Sequence, residues 1–66
     1  MQIIVNGEPR EHADGTTLAE LLESMSLEPR RVAVEVNKRL VPRRVFAQTV
    51  LNDGDELEIV TLVGGG

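Results

Sequence analysis

The sequence predicts an α+β domain of two layers, a mixed sheet of four to five strands packed on one main helix. Three observations predict it. The chain opens on an apolar, β-branched run, Ile3-Ile4-Val5, followed at once by Asn6-Gly7. Asn-Gly is a strong hairpin signal, because both residues tolerate positive φ. One apolar stripe at helical spacing comes next, Leu18, Leu21, Leu22 and Met25. Two later stretches, residues 32–36 and 56–63, alternate with the period of strands.

Each element has its own local reason. Residues 1–5 suit a buried strand. Residues 8–12 are polar and should run back beside it, and Pro9 makes that strand an edge because it cannot donate a ladder hydrogen bond. Asp14-Gly15-Thr16 is a turn. Thr17-Leu18-Ala19-Glu20 reads as a capping box, with side chain and amide of Thr17 and Glu20 satisfying each other. A helix over about 18–26 follows, with Glu20 and Glu23 facing water. Pro29 is expected to close it, since the residue before a proline is pushed from helical angles. Val32, Val34 and Val36 form one apolar face of the next strand. Asn37-Lys38-Arg39 is a polar turn, Leu40-Val41 pairs briefly, and Pro42 interrupts. Residues 43–49 show no clean period and are expected to wrap the core as a loop or short helix anchored by Phe46. Asn52-Asp53-Gly54-Asp55 is a turn into the last strand. That strand becomes apolar on both sides towards its end, which suits a central position. The first and last strands are the most apolar and are expected to lie adjacent at the sheet centre.

Composition limits the functions open to such a domain. The 66 residues are 41% apolar and 27% charged, the balance of one small folded unit. A chain this short buries only about 60% of its unfolded surface, so an enclosed active-site pocket is not expected. There is no cysteine, which excludes disulfides, thiolate metal sites and thiol nucleophiles. The lone His12 lies on a polar strand without a predictable partner, so no metal site and no bound cofactor is expected. The formal charge of −4 disfavours nucleic acid as the main partner. No apolar run approaches the roughly 20 residues that span a bilayer, and the N-terminus does not read as a signal peptide, so a cytoplasmic protein without a membrane partner is expected. The charge is unevenly spread. Residues 1–29 carry −5, residues 30–44 carry +5 and residues 45–66 carry −4. Arg30, Arg31, Lys38, Arg39, Arg43 and Arg44 make up the basic segment, read either as a solvated face or as a partner contact.

The chemistry concentrates at the end. Residues 1–63 read as one domain and residues 64–66 as a flexible glycine tail. Gly64-Gly65-Gly66 presents a slender backbone that can enter a narrow channel. Its terminal carboxyl, with an ordinary pKa of about 3.5, is ionised at neutral pH. A carboxylate can attack the α-phosphate of ATP, and the resulting acyl-adenylate is open to sulfur or nitrogen nucleophiles.

At these residues the chain resembles a known family. The segments Ile4-Val5-Asn6-Gly7-Glu8, Thr17 to Leu22, Val34-Glu35-Val36-Asn37, Leu40-Val41-Pro42-Arg43 and Asp53 to Val60, with the diglycine end, resemble the ubiquitin-like β-grasp sulfur carriers, and among them the ThiS branch serving thiamine thiazole synthesis. The resemblance runs essentially end to end; its specific motif is a terminal diglycine directly after the final strand. The chain departs from the pattern in ending on three glycines, and in having Phe46 where a tryptophan is common.

The resemblance implies a mechanism. An E1-like adenylating enzyme of the ThiF type would use ATP to activate the Gly66 carboxylate. Sulfur from a persulfide donor, traced to a cysteine desulfurase, would convert it to a thiocarboxylate. A thiazole synthase of the ThiG type would then take the sulfur. The chain would be a protein co-substrate, not an enzyme. Gly64 and Gly65 would thread the tail into partner active sites, and Phe46, Val60 and Leu62 are candidates for partner docking. Two alternatives stand beside this reading. One is a molybdopterin-synthase-type carrier or ubiquitin-related modifier, whose members are usually longer. The other is a noncatalytic β-grasp interaction module of the TGS type, which needs no free glycine end.

Overall fold

The computed structural model describes residues 1–62. The glycine tail expected at 64–66, like Val63, lies outside the described residues. The elements, in chain order, are β1 (Gln2–Val5), β2 (Glu8–Glu11), α1 (Leu18–Ser24), a 3-10 segment Pro29–Arg31, β3 (Val32–Val36), β4 (Arg39–Val41), a second 3-10 segment Arg43–Gln48, and β5 (Glu56–Thr61). They form a five-stranded mixed sheet in the order β2-β1-β5-β3-β4. The first and last strands are adjacent and parallel, as their apolar character predicts, with Ile4 opposite Glu56 and Val5 opposite Leu57. β5 is the central strand, antiparallel to β3 on its other side.

Strand periodicity sorts the sheet into a covered and an open face. Ile3 and Val5 of β1, Val32 and Val34 of β3, and Leu57 and Ile59 of β5 point inward and are buried. They meet Leu18, Leu21 and Leu22 of α1, each fully buried, while Phe46 and Leu51 complete the core. The central place of β5 is the one its two-sidedly apolar end predicts. One helix covers only one face, and Val60 and Leu62 remain exposed on the other.

The capping box of α1 is present as expected. The Glu20 amide donates to the Thr17 hydroxyl at 3.2 Å, and the Thr17 amide donates to Glu20 Oε1 at 2.9 Å. The far end of the helix differs from expectation. It stops at Ser24, well before Pro29, which instead opens the first 3-10 segment. The stop is set by Ser26, whose φ of 58° reverses the chain. The Ser26 amide donates to the Glu23 carbonyl and the Leu27 amide donates to the Leu22 carbonyl, a C-terminal motif that glycine usually fills. A serine held in the left-handed region stores strain. Ser26→Gly is therefore expected to raise stability by about 0.5–1 kcal/mol, read as a higher urea midpoint at unchanged slope.

Both hairpin turns place positive φ at their two central residues. These are Asn6 (51°) and Gly7 (83°), then Asn37 (51°) and Lys38 (68°). The pattern is that of the type I′ turn, whose twist matches the strands it joins.

Candidate functional site

The two turn asparagines hold the strand that leads to the C-terminus. β1 ends at Val5, but the ladder to β5 continues through the Asn6 side chain. Asn6 Oδ1 accepts from the Ile59 amide at 2.8 Å, and Asn6 Nδ2 donates to the Ile59 carbonyl at 3.1 Å. One amide side chain thus does what the next backbone residue of β1 would have done. Asn37 grips β5 from the opposite side. Its Oδ1 accepts from the Glu56 amide at 3.1 Å, and its Nδ2 donates to Asp55 Oδ1 at 3.0 Å. Sequence reading assigned both asparagines to turns and missed these bonds; the available signal was an asparagine at the first central position of both hairpins. Asn6→Gly keeps the backbone angle and deletes only the two bonds to Ile59. It is expected to cost about 1–3 kcal/mol, because a part-buried donor and acceptor lose their partner. Urea unfolding measures it.

Beyond this clamp β5 runs to the last described residues. Thr61 lies opposite Val32, and the Leu62 amide donates to the Arg31 carbonyl at 2.7 Å. The route towards Gly64, Gly65 and Gly66 therefore starts beside the 3-10 segment that precedes β3. The roles assigned to those three glycines lie outside the described residues.

On the open face, exposed apolar side chains gather near this point. Val60 is 58% exposed and Leu62 49%, with Ala33 directly opposite Val60. Leu40 on β4, 68% exposed, faces the same way, opposite Glu35. Val60 and Leu62, the docking candidates of the sequence, thus lie exposed at the last described residues. Phe46 does not. It is only 3% exposed, in the second 3-10 segment under the sheet, so it is a core anchor and is removed from the docking candidates. An aromatic with no competing aromatic elsewhere in the chain is the largest apolar surface available, and the core claims it.

An open groove of about 620 Å³ lies at the other end of β5, between the two hairpin turns, beside Asn6, Gly7, Asn37 and Lys38. From Leu57 to Leu62 the strand rise of roughly 3.3 Å per residue separates that groove from the exit point by about 16 Å. The groove is thus remote from the residues that precede the tail. Among the described residues no cluster of three or more side chains could hold a metal ion. No helix among them is long and apolar enough to cross a membrane.

A mixed five-stranded sheet with its parallel first and last strands at the middle, wrapped on one helix, is the ubiquitin-like β-grasp domain. The solved structure of a thiamine biosynthesis protein (ThiS) from Geobacter metallireducens superposes on it with a TM-score of 0.85 and 33% identity, covering all of both chains. The ThiS family model matches residues 3–66. The chain belongs to the ThiS family. It is 35% identical to the sulfur carrier protein ThiS of Escherichia coli over the full length of both chains. It is also 44% identical over 66 residues to a thiazole synthase of Paramagnetospirillum magneticum, and there the chain spans about a fifth of the relative's length, 20%.

Proposed function

We infer that this chain is a sulfur carrier protein of thiamine biosynthesis and that its working group is the carboxylate of Gly66. The observation that supports this most is the alignment with the Escherichia coli sulfur carrier, which takes in all of each chain, the glycine tail of this one included. In this reading the Gly66 carboxylate attacks the α-phosphate of ATP on an E1-like adenylating enzyme, giving an acyl-adenylate and pyrophosphate. A sulfur nucleophile then displaces AMP. With bisulfide the balance is simple: acyl-adenylate and HS⁻ give thiocarboxylate, AMP and a proton. In the cell a persulfide supplied by a cysteine desulfurase would displace AMP to give an acyl disulfide. A thiol would then cleave this to the thiocarboxylate, the thiol itself ending as a disulfide. The thiocarboxylate is a soft nucleophile and passes its sulfur to thiazole synthase. That the same domain aligns with a segment of a thiazole synthase supports this last partnership.

The described residues supply the handle rather than the chemistry. The core and the two asparagine clamps fix β5, and β5 carries Leu62 and, through it, the tail. Val60 and Leu62 offer apolar surface to the enzyme that takes the tail. Gly64 and Gly65 give the tail its slenderness, since a side chain there would widen it. The chain binds no cofactor of its own in this reading, ATP being used by the activating enzyme, and it works in the cytoplasm.

Intact mass spectrometry tests the reading. Untagged protein is incubated with the adenylating enzyme, ATP and sulfide. The expected product has one oxygen replaced by sulfur, mapped to Gly66. An unchanged mass, with the enzyme active on a control carrier, would overturn it. The same spectrum reads the native C-terminus directly.

A further inference from the structure

The fold turns the basic segment of the sequence into one edge of the molecule. β4 is an edge strand, and Lys38 and Arg39 stand at its start. Val41 lies opposite Val34, so the chain that continues through Pro42 runs on past β3 towards its beginning. There Arg43 and Arg44 open the second 3-10 segment, which packs against the first, the segment holding Arg30 and Arg31. All six side chains are exposed. Arg30 and Arg31 share Glu28 at 3.7 and 3.0 Å. Among the described residues no ion pair involves Lys38, Arg39, Arg43 or Arg44. The band ends at Arg31, whose carbonyl holds the Leu62 amide. A net acidic protein thus carries exposed basic residues along one edge, as far as the segment whose Arg31 carbonyl holds the Leu62 amide.

We propose that this basic edge docks on an acidic rim of the enzyme that activates the tail. The inference rests on the sulfur-carrier reading, and it names the chemistry of the partner's surface. An enzyme that draws in the residues after Leu62 meets Arg31, Arg43 and Arg44 beside its entrance. Leu40, Val60 and Leu62 border the band and give the contact an apolar centre. Glu35 and Glu58, directly opposite one another on the open face, set an acidic boundary next to it. This alternation of sign admits one orientation of an acidic rim and repels the others, the means by which charge gives specificity and speeds encounter. Nucleic acid phosphates are the poorer fit, because the carboxylates of the neighbouring face would oppose a polyanion laid across the sheet.

The test uses the full chain and the adenylating enzyme. Arg39→Glu with Arg44→Glu reverses two exposed charges in separate parts of the band. The double variant is expected to keep its thermal midpoint and its kcat for thiocarboxylate formation. Its KM should rise on the order of tenfold at low salt. The wild-type KM should climb from low salt to roughly twice physiological ionic strength, and that of the variant should change little, on screening grounds. Calorimetric binding of the same enzyme is read in parallel, so the surface is judged even if the wild-type tail is never converted. An unchanged KM and affinity in the double variant would sink the proposal. So would retention of the wild type, but not the variant, on a duplex oligonucleotide at physiological salt. Failure of the wild type to gain sulfur while it still binds through the band would count against the carrier reading alone.

Discussion

A single residue appended after Gly66 is expected to abolish thiocarboxylate formation, lowering its rate on the order of a hundredfold or more, with no change in thermal stability. The reason is geometric. In the proposed reaction the reacting group is the Gly66 carboxylate, and an extra residue both moves the terminal carboxylate by one peptide length and converts Gly66 to an amide. Misplacement of a reacting group by even about 1 Å can cost a hundredfold. A time course of intact mass, with the adenylating enzyme in excess, gives the rate directly. The core is untouched by such an extension, because every buried side chain of the described residues lies at or before Ile59. Stability and activity should therefore separate completely. An interaction module would keep its binding with the extra residue, whereas an extended chain that still accepted sulfur at the normal rate would show that the Gly66 carboxylate is not the reacting group.

The largest effect on the fold is expected from Leu21→Ala. Leu21 is fully buried on α1 and faces the inner side of the sheet. Truncation there removes apolar contact and leaves a cavity, at a cost of about 2–5 kcal/mol. A 66-residue domain has a total stability of roughly 3–10 kcal/mol at ordinary per-residue values. The loss is thus a large part of the whole, and a substantial unfolded population at room temperature is expected by circular dichroism. Leu40→Ala is the matched control. Leu40 is 68% exposed, and its truncation should shift stability by no more than about 0.5 kcal/mol. A comparable loss at both positions would mean that the open face is not open in solution.

Local physics made most of the fold legible. Asn6-Gly7, the Thr17–Glu20 capping box, the Leu18-Leu21-Leu22 stripe and the Val32-Val34-Val36 alternation each state their own conformation, and each is found as stated. Features set by distant partners were not legible. Ser26 ends the helix because the chain must turn back towards the sheet, and nothing in a serine announces positive φ. Lys38 takes positive φ for a similar reason, because the β3–β4 hairpin demands that twist. The bonds from Asn6 to Ile59 and from Asn37 to Glu56 join residues far apart in sequence, so no short window of the chain contains them. Phe46 reads from sequence as either anchor or contact, and only its burial decides between them. At the candidate site, Val60 and Leu62 were legible as residues close to the tail. Their exposure depended on the absence, among the described residues, of a second covering layer, which no short window of sequence sets.

The central place of β5 bears on how the protein is made. In order of synthesis β5 comes after every other strand of the sheet, yet the two halves of the sheet meet only through it. Until the ribosome has delivered residues 56–61, the β1–β2 hairpin and the β3–β4 hairpin share no sheet, and isolated hairpins are marginal in water. A product terminated before that point lacks the middle of the sheet together with the glycines beyond it. The sheet therefore closes only once the strand that carries the tail has been made.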